Sequence, residues 1–203
     1  MILKDNEKKL ISKEIENLEK SSSAELVAVM IKRSSNYKLA SAMSAVFLLF
    51  CTSCIFVFFE DISTSELIQI QVLEFFTFYL FFEKFKNLFL KIIPKSYKYQ
   101  IASENAHKQF YNLQFDTTKY AIMFFVSFDE KYVEIITNKE ILKEIPNNHW
   151  QLIVDEFIND IKENSLFNGY LKAIKACNLI LIEKFPVNKN DENELSNEVI
   201  ELK

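Results

Sequence analysis

The sequence predicts an α/β fold, a sheet covered by helices on both faces, with a two-helix transmembrane hairpin inserted into it. Segments 25–31 and 120–127 are almost entirely apolar, which is typical of strands that are buried on both sides. Stretches with helical periodicity surround them along the chain. Between the two strands lies segment 39–59, 21 residues without a charge. The predicted order is therefore helix, strand, two spans, helix, two strands and two helices.

Composition bounds the fold and excludes several functions. With 203 residues, 49% of them apolar, the chain is long and apolar enough for one domain with a buried core. The net charge is −4, and Arg33 is the single arginine. Nucleic-acid binding needs a basic face, so we expect no nucleic-acid partner. Gly169 is the single glycine, which excludes the glycine-rich loops that hold nucleotides.

Two apolar segments predict spans at about 39–59 and 67–90. About 20 apolar residues at 1.5 Å rise each cross the ~30 Å hydrocarbon core of a bilayer. The second segment is less apolar and contains Glu74. The short link 60–66 suits a tight helical hairpin. The alternative is that 67–90 lies in the interface as an amphipathic helix, which would place the two halves of the chain on opposite sides of the membrane.

Charge asymmetry predicts the orientation. The link contains three acids and no base, whereas basic residues flank both spans. Positive charge stays on the cytoplasmic side. We therefore predict a multi-pass protein of the inner or plasma membrane with both termini cytoplasmic and the lipid bilayer as a partner. The membrane-flanking basic residues are Lys32, Arg33, Lys38, Lys84, Lys86, Lys91, Lys95 and Lys98.

Removing the hairpin, 38–98, leaves two pieces that need each other. The first, 1–37, has one helix and one strand, which cannot bury their apolar surfaces alone. The second, 99–186, supplies a helix from near Ser103 to Leu113, strands 120–127 and 131–137, and two further helices. A polar, acidic and mostly extended tail follows at 187–203. We therefore predict one split domain.

Apolar stripes identify the helix faces that should reach the core. The predicted core positions of the first, penultimate and last helices are Leu10, Ile11, Ile15 and Leu18; Trp150, Ile153, Val154, Phe157, Ile158 and Ile161; and Leu171, Ile174, Leu181, Ile182 and Phe185.

The ordered set of segments resembles the TPM domain family, in particular its bacterial integral-membrane branch. The residues that carry the likeness are 23–29, 124–136, 145–157, 167–186 and the tail 193–202. The resemblance implies a TPM-like αβα sandwich. It also implies a site at one sheet edge, where some members bind calcium and some show acid phosphatase activity.

The chain departs from the family at that site. Lys119-Tyr120-Ala121 stands where many members resemble Asp-Asn-Gly, and Asn138-Lys139-Glu140 replaces a segment like Asp-x-Gly. Calcium takes six to eight oxygen ligands, usually from loops. The calcium candidates, which are otherwise solvated turn residues, are Asp116, Asp129, Asn138 and Glu140.

Two functions follow from these observations. The first is a membrane-anchored, non-catalytic module that binds or assembles membrane-protein complexes. The alternative is a metal-assisted, membrane-tethered enzyme resembling acid phosphatases. No catalytic residue is predicted, because neither His107 nor His149 has a nucleophile to pair with. Cys51 and Cys54 lie in an apolar span and are interpreted as packing residues. No cofactor is predicted beyond the family's calcium, and the departures favour the binding module.

Overall fold

A computed structural model describes residues 3–56, 58, 62–113, 115, 118–163, 166–187 and 198–202. It divides into two compact units. The first unit combines Met1–Ser34 with Tyr99–Lys203, and the second is Ser35–Lys98. Together they give a mixed α/β protein, which confirms the predicted class at that level.

The elements run in the order α1 (Asp5–Glu19), β1 (Glu25–Ile31), α2 (Lys38–Phe56), α3 (Thr64–Lys84), α4 (Lys86–Ile92), α5 (Lys95–Asn112), β2 (Ala121–Ser127), β3 (Tyr132–Thr137), α6 (Lys139–Glu144), α7 (Asn147–Glu163), α8 (Leu166–Lys184) and β4 (Ile200–Leu202). All three predicted strands form within a residue of their expected bounds.

The strands form one sheet in the order β3-β2-β1-β4. β1 and β2 are parallel, with Glu25 opposite Ala121 and Ile31 opposite Ser127. β2 and β3 form an antiparallel hairpin. β4 is parallel to β1, with Val29 opposite Ile200. This last strand lies in the segment predicted to be a polar, mostly extended tail. Three residues, two of them apolar, that follow an acidic run are too short to show a strand pattern.

Alternate side chains of the central strands enter two separate apolar clusters. On one side, Leu26 and Phe124 pack with buried residues of α1, α7 and α8. On the other, Val29 and Phe125 pack with Phe110 of α5. β1 and β2 are buried at every position, as expected of strands apolar on both faces.

The helix stripes are correct in outline and wrong at their edges. In α1, Leu10 is half exposed, whereas the other three predicted residues are buried. Ile161 in α7 is 36% exposed and Ile182 in α8 is 38% exposed. Leu171 is half-buried, and its neighbour Tyr170 is fully buried instead. The α8 stripe is centred on Tyr170, Ala173, Ile174, Cys177 and Leu181, so leucine and isoleucine at its margins reach solvent.

Helix ends also differ from expectation. α5 begins at Lys95, directly after Pro94, rather than near Ser103. The predicted second span is two helices, because α3 ends at Lys84 and the backbone of Phe85 leaves the helical conformation (φ −105°, ψ 43°). α3 starts earlier than predicted, at Thr64. A capping box fixes the start of α3. The Ser63 hydroxyl accepts a hydrogen bond from the Glu66 N–H, and the Glu66 carboxylate accepts one from the Ser63 N–H.

Candidate functional site

A polar cluster lies at the carboxyl ends of the parallel strands β1 and β2, the place where α/β sheets commonly carry their sites. We call it the strand-end cluster. Its members come from the segment after β1, from α5, and from the last residue of β2 with the turn that follows it. They are Arg33, Ser34, Asn105, Ser127, Asp129 and Glu130.

The inner part of the strand-end cluster is buried. Ser127 is inaccessible to solvent and Glu130 is 2% exposed. The Ser127 hydroxyl donates to the Glu130 carboxylate, and the Ser34 hydroxyl lies 2.8 Å from the Ser127 hydroxyl. The Ser34 N–H donates to Glu130 Oε1 at 3.2 Å. Both hydroxyls and the carboxylate are therefore bonded to one another rather than presented to a substrate.

The outer part of the cluster joins the segment after β1 to the rest of the unit. Arg33 Nε donates to Asp129 Oδ2 at 2.7 Å, with both side chains largely buried. Asn105 Nδ2 of α5 donates to the Ser34 carbonyl at 2.8 Å. The Asp129 N–H donates to the Lys32 carbonyl at 2.9 Å. Arg33, predicted as a membrane-flanking base, is thus held in an ion pair of the α/β unit.

Most of this cluster was not predictable from the sequence. One local pattern does point to the cluster: Ser127 ends an apolar strand, and Asp129-Glu130 lie in the turn after it. Polar groups next to a buried strand need hydrogen-bond partners, so such a turn predicts a polar cluster. The partners Ser34 and Asn105 are 71 residues apart. Their pairing depends on the fold and has no local pattern.

The structure does not bring the predicted calcium ligand Asp129 close to Asn138 and Glu140. Asp129 lies in the β2–β3 turn, and Asn138 follows the far end of β3. Five residue steps of about 3.3 Å separate the ends of β3, roughly 17 Å. Calcium ligands must lie within about 2.6 Å of one ion. Asn138 and Asp129 therefore cannot share a calcium ion, and Asp116 lies outside the described residues.

The candidates at the far end of β3 have structural partners. Asn138 Oδ1 accepts from the Ile141 N–H at 3.2 Å and so caps α6. Its Nδ2 donates to the carbonyls of Thr118 and Lys119. Glu140 is exposed and bonded to Lys143 Nζ at 2.7 Å. Among the described residues, no three His, Cys, Asp or Glu side chains are grouped as a metal site would require.

The second unit contains two helices long and apolar enough to cross a membrane, α2 and α3. Polar side chains between them are bonded across the pair. Thr52 Oγ1 donates to Glu74 Oε2 at 3.0 Å, and Gln71 Nε2 donates to Ser53 Oγ at 2.6 Å. Glu74 therefore faces its partner helix.

Comparisons with known proteins give a fold likeness. No protein-family model and no curated protein matches the chain. Among solved structures, the chain is similar to the NMR structure of the BA42 protein from the psychrophilic bacterium Bizionia argentinensis. The TM-score is 0.61 and the identity is 17%, over 99% of this chain and 96% of that one. At this identity the likeness shows a shared fold and nothing about activity.

Proposed function

We propose that this protein is a membrane-anchored, non-catalytic module that binds or assembles membrane-protein complexes through a cytoplasmic, TPM-like αβα sandwich. The observation that carries the proposal is the pair of apolar helices α2 and α3, whose polar groups bond to each other. Apolar side chains cover their outer surface, including Phe47, Phe50 and Leu73, each more than 60% exposed. Such a surface is stable in lipid and unstable in water.

The proposed topology is a hairpin with both termini cytoplasmic. The only charged residues between the spans are acids. Lysines flank the hairpin on the other side, and the positive-inside rule assigns that side to the cytoplasm. The inserted hairpin then leaves the α/β unit as the part that meets other proteins.

The state of the polar groups supports a non-catalytic role. In the strand-end cluster the buried Ser127 hydroxyl donates to Glu130, and the hydroxyl of half-buried Ser34 is hydrogen-bonded to the Ser127 hydroxyl. Phosphoryl transfer needs a metal ion or a cationic clamp. The single arginine is engaged with Asp129, and the calcium candidates at the two ends of β3 lie too far apart for one ion.

Affinity capture of the intact protein tests the proposal. We expect chemical cross-linking in cells, followed by detergent solubilisation, to recover a defined set of integral membrane proteins. The matched control is the Val29→Asp variant, which keeps the hairpin and loses the folded α/β unit. Recovery of the same proteins with that variant would contradict the proposal, because association would then reside in the hairpin.

Calcium separates this proposal from the membrane-tethered phosphatase. A ligand at 100 times its dissociation constant stabilises a native state by about 2.7 kcal/mol. We expect saturating calcium to leave the thermal midpoint of the α/β unit unchanged, and we expect no phosphomonoester hydrolysis. A calcium-dependent rise in the thermal midpoint that is abolished by Asp129→Ala or Asp116→Ala would contradict the proposal and support the membrane-tethered phosphatase.

A further inference from the structure

A groove runs along the open edge of the sheet, between β3 and α7. Two cavities of about 360 and 310 Å³ lie along it, and both are lined by Val133 and Ile158. Trp150 and Val154 extend the apolar lining at one end, and Ile161 extends it at the other. We call this feature the β3–α7 groove.

β3 presents unused backbone groups to this groove. The Asn138 N–H donates to the Ala121 carbonyl at 3.0 Å, which places these two residues in a hydrogen-bonded pair. Bonding alternates along an antiparallel ladder, so the even-numbered residues of β3 bond to β2. Val133 and Ile135 direct their N–H and C=O groups away from β2. β3 is the edge of the described sheet, so these groups are a template for another strand.

Side chains stand on both sides of the open strand position. Val133 and Ile135 belong to the face that packs with α7, and Tyr132 belongs to the face that packs with α5. The Tyr99 ring lies 5.4 Å from the Tyr132 ring, centroid to centroid. A strand added beside β3 would therefore meet apolar surface on one face and tyrosine on the other.

Charge marks one end of the groove. Lys131, at the start of β3, and Lys162, near the end of α7, line the same cavity. Neither ammonium is paired with a carboxylate within the described part of the chain. A peptide antiparallel to β3 has its C-terminal end there, because β3 begins there. Acidic residues at that end of the peptide complement both lysines.

We propose that the β3–α7 groove binds an extended segment of a partner protein by strand addition. The segment runs antiparallel to β3, with apolar side chains at alternate positions against α7 and acidic residues near Lys131 and Lys162. This is a recurrent mode of peptide recognition, in which the backbone supplies affinity and alternate pockets supply specificity. The inference rests on the proposed function, since it names the site through which the module would bind.

A model peptide tests the groove in the full chain, held in detergent micelles. The probe is a fluorescein-labelled peptide of about eight residues, the usual length of a strand. It alternates valine and serine and ends in two aspartates. We expect saturable binding by fluorescence anisotropy, and hydrogen–deuterium exchange should slow at Val133 and Ile135 when the peptide is present.

Two variants give matched comparisons. Ile158→Glu places a carboxylate in the groove from a half-buried position, and we expect affinity to fall at least ~10-fold, the equivalent of about 1.4 kcal/mol. Leu179→Glu makes the same type of change on exposed α8 surface and should leave affinity unchanged. Lys162→Glu should weaken binding about 3-fold, within the range of an exposed ion pair.

Three results with the peptide would overturn the inference. The first is that the peptide shows no saturable binding, and the second is that it binds Ile158→Glu and the parent chain with equal affinity. The third is that the peptide binds without slowing hydrogen–deuterium exchange at β3. Exchange at β3 that slows with protein concentration alone would mean that a second copy occupies the edge, which also contradicts it. If the peptide fails while capture of membrane proteins still requires the folded unit, the groove is wrong and the proposed function stands.

Discussion

Val29→Asp is expected to unfold the α/β unit across both of its sequence pieces. Val29 has no solvent exposure and lies in β1 between Phe125 of β2 and Ile200 of β4. A carboxylate there is buried without a partner or is forced to stay protonated, at a cost of several kcal/mol. Domains are stable by only about 5–15 kcal/mol, so the loss removes much of the total. Limited proteolysis should then cleave 99–203, more than 60 residues away in sequence.

The control for this prediction is Val187→Asp, the same substitution at a position that is 47% exposed. It should leave the protease pattern unchanged. Continued protection of 99–203 in Val29→Asp would contradict the single-core assignment, because the second piece would then fold without β1.

Phe124→Ala is expected to cause the second large loss of stability. Phe124 is fully buried, and its ring is perpendicular to that of Phe157, with centroids 5.1 Å apart. Tyr170 makes another edge contact at 4.9 Å. Phenylalanine-to-alanine changes in cores cost about 3–5 kcal/mol, because lost transfer energy and the remaining cavity add. For a unit of this size, that lowers the thermal midpoint by about 10 °C.

Leu179→Ala provides the comparison, since Leu179 on α8 is 74% exposed. Its thermal midpoint should match that of the parent chain. A Phe124→Ala midpoint equally close to the parent value would show that β2 does not pack against α7 and α8 as described.

The central strands and the middle of the α7 stripe were predictable from local pattern and agree with the structure. The strands β1 and β2 were recognisable because an uninterrupted apolar run is incompatible with an exposed face. The α7 stripe was recognisable because Trp150, Ile153 and Phe157 repeat at helical spacing. In both cases the signal lies within a few residues of the element it identifies.

The features that were missed depend on distant residues. β4 is a strand only because the edge of β1 accepts it, and its three residues carry no pattern of their own. Tyr170 is central to the core although its hydroxyl makes it a poor candidate by composition. The structure satisfies that hydroxyl inside the core, because it donates to the Phe124 carbonyl at 3.4 Å. The strand-end cluster likewise joins residues from three segments of the chain.

The calcium candidates show that residues at the positions of a family's site can have other roles in this chain. Asp129 and Asn138 are close in sequence, but they lie at the two ends of β3. The strand between them separates the two residues by roughly 17 Å. In the structure, Asp129 holds Arg33 and Asn138 caps α6. Each has a structural role that uses the oxygens a calcium ion would need.

Cysteine labelling in intact cells tests the membrane hairpin most directly. In a chain whose Cys51, Cys54 and Cys177 are replaced by alanine, a single cysteine is placed at Ser65 or at Lys139. Both positions are exposed, and Ser65 leaves the Ser63–Glu66 capping box intact. A membrane-impermeant maleimide should label the cysteine at 65 from outside and reach the one at 139 only after the membrane is opened. Labelling of 139 but not 65 in intact cells would reverse the orientation, and labelling of neither or both would contradict the two-span hairpin.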